Sequence, residues 1–517
     1  MPYKSTDHLY KSINSLTTAE KRQFKISMKG SSKSSDSLFM ALFDHIDKNP
    51  TYDEAKILKQ VKGVTKRQLS NLKSNLYKKL LTSLRQQHRT QSIDLQLREQ
   101  LDHAQILYNK GLYRASIDQL EKIKKQAQEL EKRAIHITAL ELEKKIEALY
   151  ITGSMYPKAV ELKIESNIAL DHLNVNHKLS NLSLSLYGMY LQKGFVKDNQ
   201  DYDELSDFFK INLPSVSIAK LDFYGKLFYF QSHVWYHFMI QDFPNYFKYA
   251  TKWKQLFEEE NDQHWIAQEL TIYIKSYHNV LNALFMSQAY DRFIKELSRF
   301  KAIGEKHIPV MNRDEYSTYI LIKLTHEVNE FFLNGKYGEA VKFIATNRRF
   351  LIDNDLGWDL NRELSSNFKI GCLYFCEGDF DESLLCLNRI TNYVYPNFRE
   401  DIQCFARMLS LIIHFEKENE QLISHQIIST YRYLSKIEHL QKGLKYVLEF
   451  LRKLPKTSKS DLKGEFIKLK INLERVEGED FEKRPFLYLD IISWLESKIE
   501  GVPLKEVLRR KIALLNA

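Results

Sequence analysis

The feature that most constrains this chain is a turn. An apolar stretch beginning at Gly371-Cys372-Leu373 runs into Cys376-Glu377-Gly378-Asp379-Phe380-Asp381-Glu382-Ser383. Gly378 takes left-handed backbone angles without a Cβ clash, so one helix can stop there and a second can open at Glu382. Phe380 can pack back across the pair, and Ser383 is small enough to let the two helices approach. Asn334-Gly335-Lys336-Tyr337-Gly338-Glu339-Ala340 is the cleanest copy; Lys110-Gly111-Leu112-Tyr113-Arg114-Ala115-Ser116 and Gly153-Ser154-Met155-Tyr156-Pro157-Lys158-Ala159 are two more. Gln241-Asp242-Phe243 and Gln288-Ala289-Tyr290 keep the aromatic and lose the glycine, while Gly194 and Asn419 are weaker members. Turns at 111, 153, 194, 241, 288, 335, 378 and 419 recur every 41 to 47 residues. A period of that size implies stacked helix pairs.

These turns resemble the tetratricopeptide repeat (TPR), whose turn reads Gly-x-Tyr-x-x-Ala. Gly335, Tyr337 and Ala340 match it fully; Gly378, Phe380 and Ser383 match closely, and Gly371 sits where that repeat carries the glycine of its first helix. The period here is about ten residues longer than the family's 34, so each helix gains about a turn. The resemblance covers roughly residues 97–437. It implies an all-α, TPR-like α-solenoid of about eight helix pairs, and a scaffold that binds a protein or peptide.

Charge divides the chain. Residues 1–100 hold 19 Lys and Arg against 9 Asp and Glu, whereas the rest hold 57 of each. The whole net charge of +10 therefore sits in the N-terminal fifth, as expected of a basic interaction module on a neutral scaffold. No run of about 18 apolar residues occurs and the N-terminus carries no apolar secretory core. A cytoplasmic location is the expectation, and the four cysteines, Cys372, Cys376, Cys386 and Cys404, fit a reducing compartment.

Residues 1–93 read as a small helical domain with helices over 7–16, 18–28, 36–48, 53–62 and 65–85. Thr17 and Glu20 form a capping box. On helix 65–85, Leu69, Leu72, Leu76, Leu80 and Leu84 make one apolar stripe; Arg67, Asn71, Ser74, Lys78 and Arg85 fall opposite. From Ala55 to Ile93 there is no acidic residue, but Lys56, Lys59, Lys62, Lys66, Arg67, Lys73, Lys78, Lys79, Arg85 and Arg89 are all present. The plain reading is a solvated basic face. The alternatives are DNA or RNA, with 53–62 and 65–85 as a helix-turn-helix, or an acidic protein. A basic domain followed by such repeats resembles, in architecture, bacterial regulators that sense peptides.

Residues 94–437 are the repeat array, with paired helices of about 18 residues. Residues 438–517 lose the turn pattern and read as capping helices over 438–454, 460–475, 485–499 and 503–515, which a solenoid needs to close its last face. The segment 223–257 holds fourteen aromatics. Most should be core, but Tyr229, Trp235, Tyr236, Tyr246, Tyr249 and Trp253 are candidates for a peptide groove.

Catalytic patterns are missing from the sequence. There is no phosphate-cradling Gly-x-x-x-x-Gly-Lys-Ser/Thr and no Gly-x-Ser-x-Gly elbow. His326-Glu327 starts like a metalloprotease helix, but Glu330 stands where the second His belongs. The cysteines form no Cys-x-x-Cys pair, so small apolar packing is expected of them. No cofactor, metal or catalytic activity is expected.

Overall fold

A computed structural model describes residues 8–29, 34–49, 52–61, 63–89, 92–149, 155–259, 263–392, 398–434, 442–453, 457–458, 461–477 and 488–515. Every regular element among them is helical, with 26 α-helices and two short 3-10 turns. None of these helices is long and apolar enough to cross a membrane. The chain packs as two compact units, Met1–Leu173 and Asn174–Ala517.

The first unit opens with α1 (His8–Ser15), α2 (Thr18–Lys29), α3 (Ser34–Lys48), α4 (Glu54–Gln60) and α5 (Lys66–His88). The predicted capping box is present: Glu20 accepts from the Thr17 amide at 2.7 Å and Thr17 accepts from the Glu20 amide at 3.2 Å. Asp53 caps α4 by accepting from Ala55 and Lys56. Leu69, Leu76 and Leu80 of the apolar stripe are buried with Ile13, Phe24 and Phe43, and Leu72 and Leu84 pack on their edge. Ser92 then caps α6 (Ile93–Asn109), which is followed by α7 (Tyr113–Glu129), α8 (Arg133–Glu147) and α9 (Met155–Lys193).

Between α7, α8 and α9 lies an ionic cluster that the periodicity of the sequence does not announce. Glu143, fully buried, pairs with Lys124 at 2.7 Å and Lys158 at 3.1 Å; Glu165 pairs with Lys124 at 3.0 Å and His136 at 2.7 Å. Burial works against the charge on Lys124, but its bonds to Glu143 and Glu165 prevail and raise its pKa.

The expected alternation of helices of about 18 residues fails at α9. It runs 39 residues, about 58 Å at 1.5 Å per residue. From Lys158 to Tyr187 there is neither Gly nor Pro to interrupt it. Residues of α9 up to Leu173 belong to the first unit and those from Asn174 to the second.

The second unit continues with α10 (Asn199–Asn212), α11 (Phe223–Met239), α12 (Phe243–Gln255), α13 (Gln263–Gln268), α14 (Leu270–Met286), α15 (Tyr290–His307), α16 (Arg313–Asn334) and α17 (Tyr337–Thr346). After α18 (Arg348–Leu351) come α19 (Leu360–Glu377), α20 (Phe380–Thr391), α21 (Glu400–Glu416) and α22 (Glu420–Leu434). The segment closes with α23 (Lys442–Lys453), α24 (Leu462–Glu477), α25 (Ile491–Glu500) and α26 (Leu504–Leu515).

The recurring turns share one left-handed residue whether or not it is glycine. Gly111, Gly194, Gln241, Gln288, Gly335, Gly378 and Glu418 all have positive φ; the turn at Gly153 lies outside the described residues. At Gly378 the Asp379 amide donates to Tyr374 at 2.9 Å and the Gly378 amide to Phe375 at 3.1 Å. The same two bonds recur at Gly111, Gln241, Gln288 and Glu418, so the last carbonyls of those helices are satisfied; Gly335 makes a single bond, to Phe331 at 3.0 Å. Five residues past the turn glycine, Ser116 donates to the carbonyl of Ala104 at 2.8 Å and Ser383 to that of Gly371 at 2.7 Å. All of Ser116, Ala340 and Ser383 are fully buried, as close helix crossing requires.

A side chain in left-handed geometry is strained. Gln288→Gly should therefore raise stability by about 1 kcal/mol, read as a higher urea midpoint. A lower midpoint would mean that the glutamine side chain does more there than tolerate its backbone.

The C-terminal segment does more than cover the last pair. α23 packs on α21, and α24, α25 and α26 follow in turn, but α26 returns to lie against α16 and α19. Leu508 shares a cluster with Tyr337 and Val328, and Lys505 pairs with Glu377 at 3.1 Å. The four cysteines are buried thiols. They do not converge: Cys372 and Cys404 lie in one cluster, Cys376 and Cys386 in another.

Candidate functional site

The second unit encloses a cavity of about 470 Å³, within the size range of small-ligand sites. Its walls come largely from helices that precede the turn in their pair, namely α11, α14, α16, α19 and α21, together with the end of α9.

The cavity's polar groups arise from a pattern within apolar helices. In α14, Lys275, His278, Asn279 and Asn282 stand at i, i+3, i+4 and i+7, so they share one face of an otherwise buried helix. In α19, Asn361, Arg362, Ser365, Ser366 and Lys369 do the same. This polar stripe was the available signal. Sequence reading by aromatic content passes over it.

Hydrogen bonds fix these groups. Tyr246 donates its hydroxyl proton to Asn279 at 3.0 Å and accepts from Asn282 at 3.2 Å. Lys369, which has only donors, donates to Asn329 Oδ1 at 3.0 Å. That turns the Asn329 amide nitrogen to His326 Nδ1 at 3.3 Å, so His326 carries its proton on Nε2 and donates it to His278 Nδ1 at 3.0 Å. Burial pushes His278 down to about 3, assisted by Lys369, Arg362 and Lys275 around it. Burial likewise holds His326 well below the usual histidine range. Both imidazoles are neutral at physiological pH.

Cations outnumber carboxylates among the described residues of the wall: Lys275, Arg362, Lys369 and Arg399 line it with Asp401, and Asp359, off the wall, pairs with Arg362. Arg399 and Asp401 neutralise each other through two bonds of 2.9 and 2.8 Å. Arg399 also donates to Ser365 at 3.2 Å and to Asn361, and it lies 5.1 Å from the Tyr190 ring.

Of the aromatics proposed for a groove, Trp235, Tyr246 and Trp253 are on the cavity wall. Tyr229, Tyr236 and Tyr249 are not. Tyr236 stacks on Phe209 at 4.2 Å, and Tyr229 and Tyr249 pack on the ring of His233 at 4.5 and 4.1 Å. These three fill the space between neighbouring helices, as most of the aromatic-rich segment does.

In the first unit, Lys56, Lys59, Lys66, Arg67, Asn71, Ser74, Lys78, Arg85 and Arg89 are exposed and Lys73 and Lys79 half-buried; Lys62 lies outside the described residues. The absence of opposing acid in the sequence does not carry over to space. α6 supplies Asp102 to Arg85 at 3.1 Å and Glu99 to Arg89 at 3.3 Å, and Lys56 lies 3.8 Å from Asp53. Lys73 donates to the Tyr52 hydroxyl at 2.6 Å, and Lys79 lies over Phe39. Lys59, Lys66, Arg67 and Lys78 form no ion pair among the described residues. As for the helix-turn-helix expectation, α4 is only seven residues long and packs on α3, while α5 packs on α1, α2 and α3.

No protein-family model matches the chain, no curated protein matches its sequence, and no solved structure matches its fold.

Proposed function

We propose that the protein is a non-enzymatic scaffold whose TPR-like helix pairs, about eight in number, hold a protein segment or peptide. One observation carries this reading. Successive first helices wall a single cavity that combines stacked aromatics with a polar stripe of asparagine and serine side chains. Amides and hydroxyls of that kind match the alternating donors and acceptors of a peptide backbone, and aromatics supply apolar contact area.

Site-specific photocrosslinking tests it. A photoreactive residue at Gln231 or Thr325, both on the wall, should yield discrete adducts with a partner. The same residue at exposed Lys122 of the first unit should not. Adducts from Lys122 alone would overturn the assignment.

A second reading is favoured by Lys59, Lys66, Arg67 and Lys78, which are exposed and form no ion pair among the described residues. In it the N-terminal helices contact DNA or RNA while the repeats sense a partner. Duplex binding by the full chain should then steepen with salt by about 0.9 in log K per phosphate. The pair Arg67→Glu and Lys78→Glu should flatten that slope by about 2 and leave the far-ultraviolet circular dichroism unchanged. No binding at low salt retires this reading.

A further inference from the structure

We propose that the cavity is built for an anion, a carboxylate or phosphate group held between Lys275 and Arg362 with its apolar body against Tyr187 and Trp235. This rests on the reading of the cavity as the binding site and adds the chemistry of what enters it.

Two unmet groups in the wall point that way. The Lys275 ammonium makes no hydrogen bond or ion pair among the described residues, although it is half-buried and burial lowers its pKa. Trp253, only 3% exposed, has an indole Nε1 with no acceptor among the described residues. Both groups donate only, so what satisfies them must accept. Arg362 lines the same cavity and depresses the Lys275 pKa further, while Asp314 and Asp359 offset the shift only in part. Its own carboxylate, Asp359 at 3.1 Å, is half exposed and so weakly binding. Each cation repels the other, and a bound anion would relieve both. On the same wall, Tyr187 and Trp235 pack with centroids 4.7 Å apart and their planes tilted by 39°, an apolar surface for the rest of the ligand.

The neutral imidazole of His278 fits the same picture. Its proton lies on Nε2, because Nδ1 accepts from His326. It therefore adds a neutral donor to the cationic group without adding charge.

A matched pair of fluorescent probes tests the inference on the full chain. 1-Anilinonaphthalene-8-sulfonate carries one anionic group; N-phenyl-1-naphthylamine is the same ring system without it. The anionic probe should bind about tenfold tighter or more. Lys275→Met and Arg362→Met should each narrow that gap by weakening anionic-probe binding, and Lys275→Arg should keep it. An unchanged urea transition followed by tryptophan fluorescence shows that the variants fold.

Displacement of the anionic probe by N-acetyl-Leu-Phe but not its amide would identify a peptide carboxylate. Displacement by phenyl phosphate would identify a phosphate. Equal affinity for the two probes in the wild type, or a gap untouched by Lys275→Met and Arg362→Met, overturns the anion inference and leaves the cavity reading standing. Failure of both probes to bind removes the cavity reading, and the inference with it.

Discussion

Arg399→Met should destabilise the second unit by about 3 kcal/mol. Arg399 is 1% exposed and Asp401 only partly accessible. Methionine matches the length of the arginine stem but removes both bonds to Asp401 and those to Ser365 and Asn361. The carboxylate then loses its bidentate partner in a site of low dielectric, which is the expensive way to break an ion pair. All five tryptophans of the chain, at 235, 253, 265, 358 and 494, lie in the second unit. The urea transition followed by tryptophan fluorescence therefore reports that unit alone. A shift equivalent to less than about 1 kcal/mol would show the pair to be hydrated and weak. Adding Asp401→Asn should recover part of the loss, because the two positions act as one unit.

The second large effect is steric. Gly304, in α15, faces Tyr319 of α16, and a Cβ built on it would lie 1.9 Å from a ring carbon. Tyr319 is 1% exposed, packs on Phe300 at 5.3 Å and bonds through its hydroxyl to Lys301, so the ring has nowhere to move. Gly304→Ala should cost about 3 kcal/mol by overpacking in the same fluorescence transition. Tyr319→Leu in the same chain should rescue it, whereas Tyr319→Phe, which keeps the ring, should not. A neutral Gly304→Ala would mean that α15 and α16 can separate without loss.

Helix positions were legible because punctuation and periodicity agree. The turn glycines at 111, 194, 335 and 378, the Thr17 and Glu20 box and the leucine stripe of α5 each act through local backbone chemistry, and each is found where it was read. The equivalence of Gln241 and Gln288 with glycine turns was legible from spacing, even though the residue type argued against it. What failed was long-range. No local signal tells that α9 runs through a unit boundary, or that Asp102 and Glu99 meet Arg85 and Arg89. Aromatic content alone could not sort Trp235 and Trp253, on the wall, from Tyr236, in the core, because the same side chain serves both. The stripe of Lys275, Asn279 and Asn282 was in plain view as a polar face on an apolar helix. Its meaning depends on α19 bringing Arg362 alongside it.

The return of α26 to α16 and α19 has a consequence for how the protein is made. Lys505 meets Glu377 across 128 residues of chain, and Tyr488 completes the cavity wall from beyond α24. At about 5–20 residues per second, a ribosome delivers the partner of Glu377 roughly 10 s after Glu377 itself. Until then the faces of α16 and α19 that receive α26 are bare, and the cavity lacks one side. A chain released early would carry the repeats and no finished pocket, with apolar surface for chaperones and proteases to recognise. Because the closing elements follow the repeats in the chain, the pocket is assembled only after the helices it is closed against have been made.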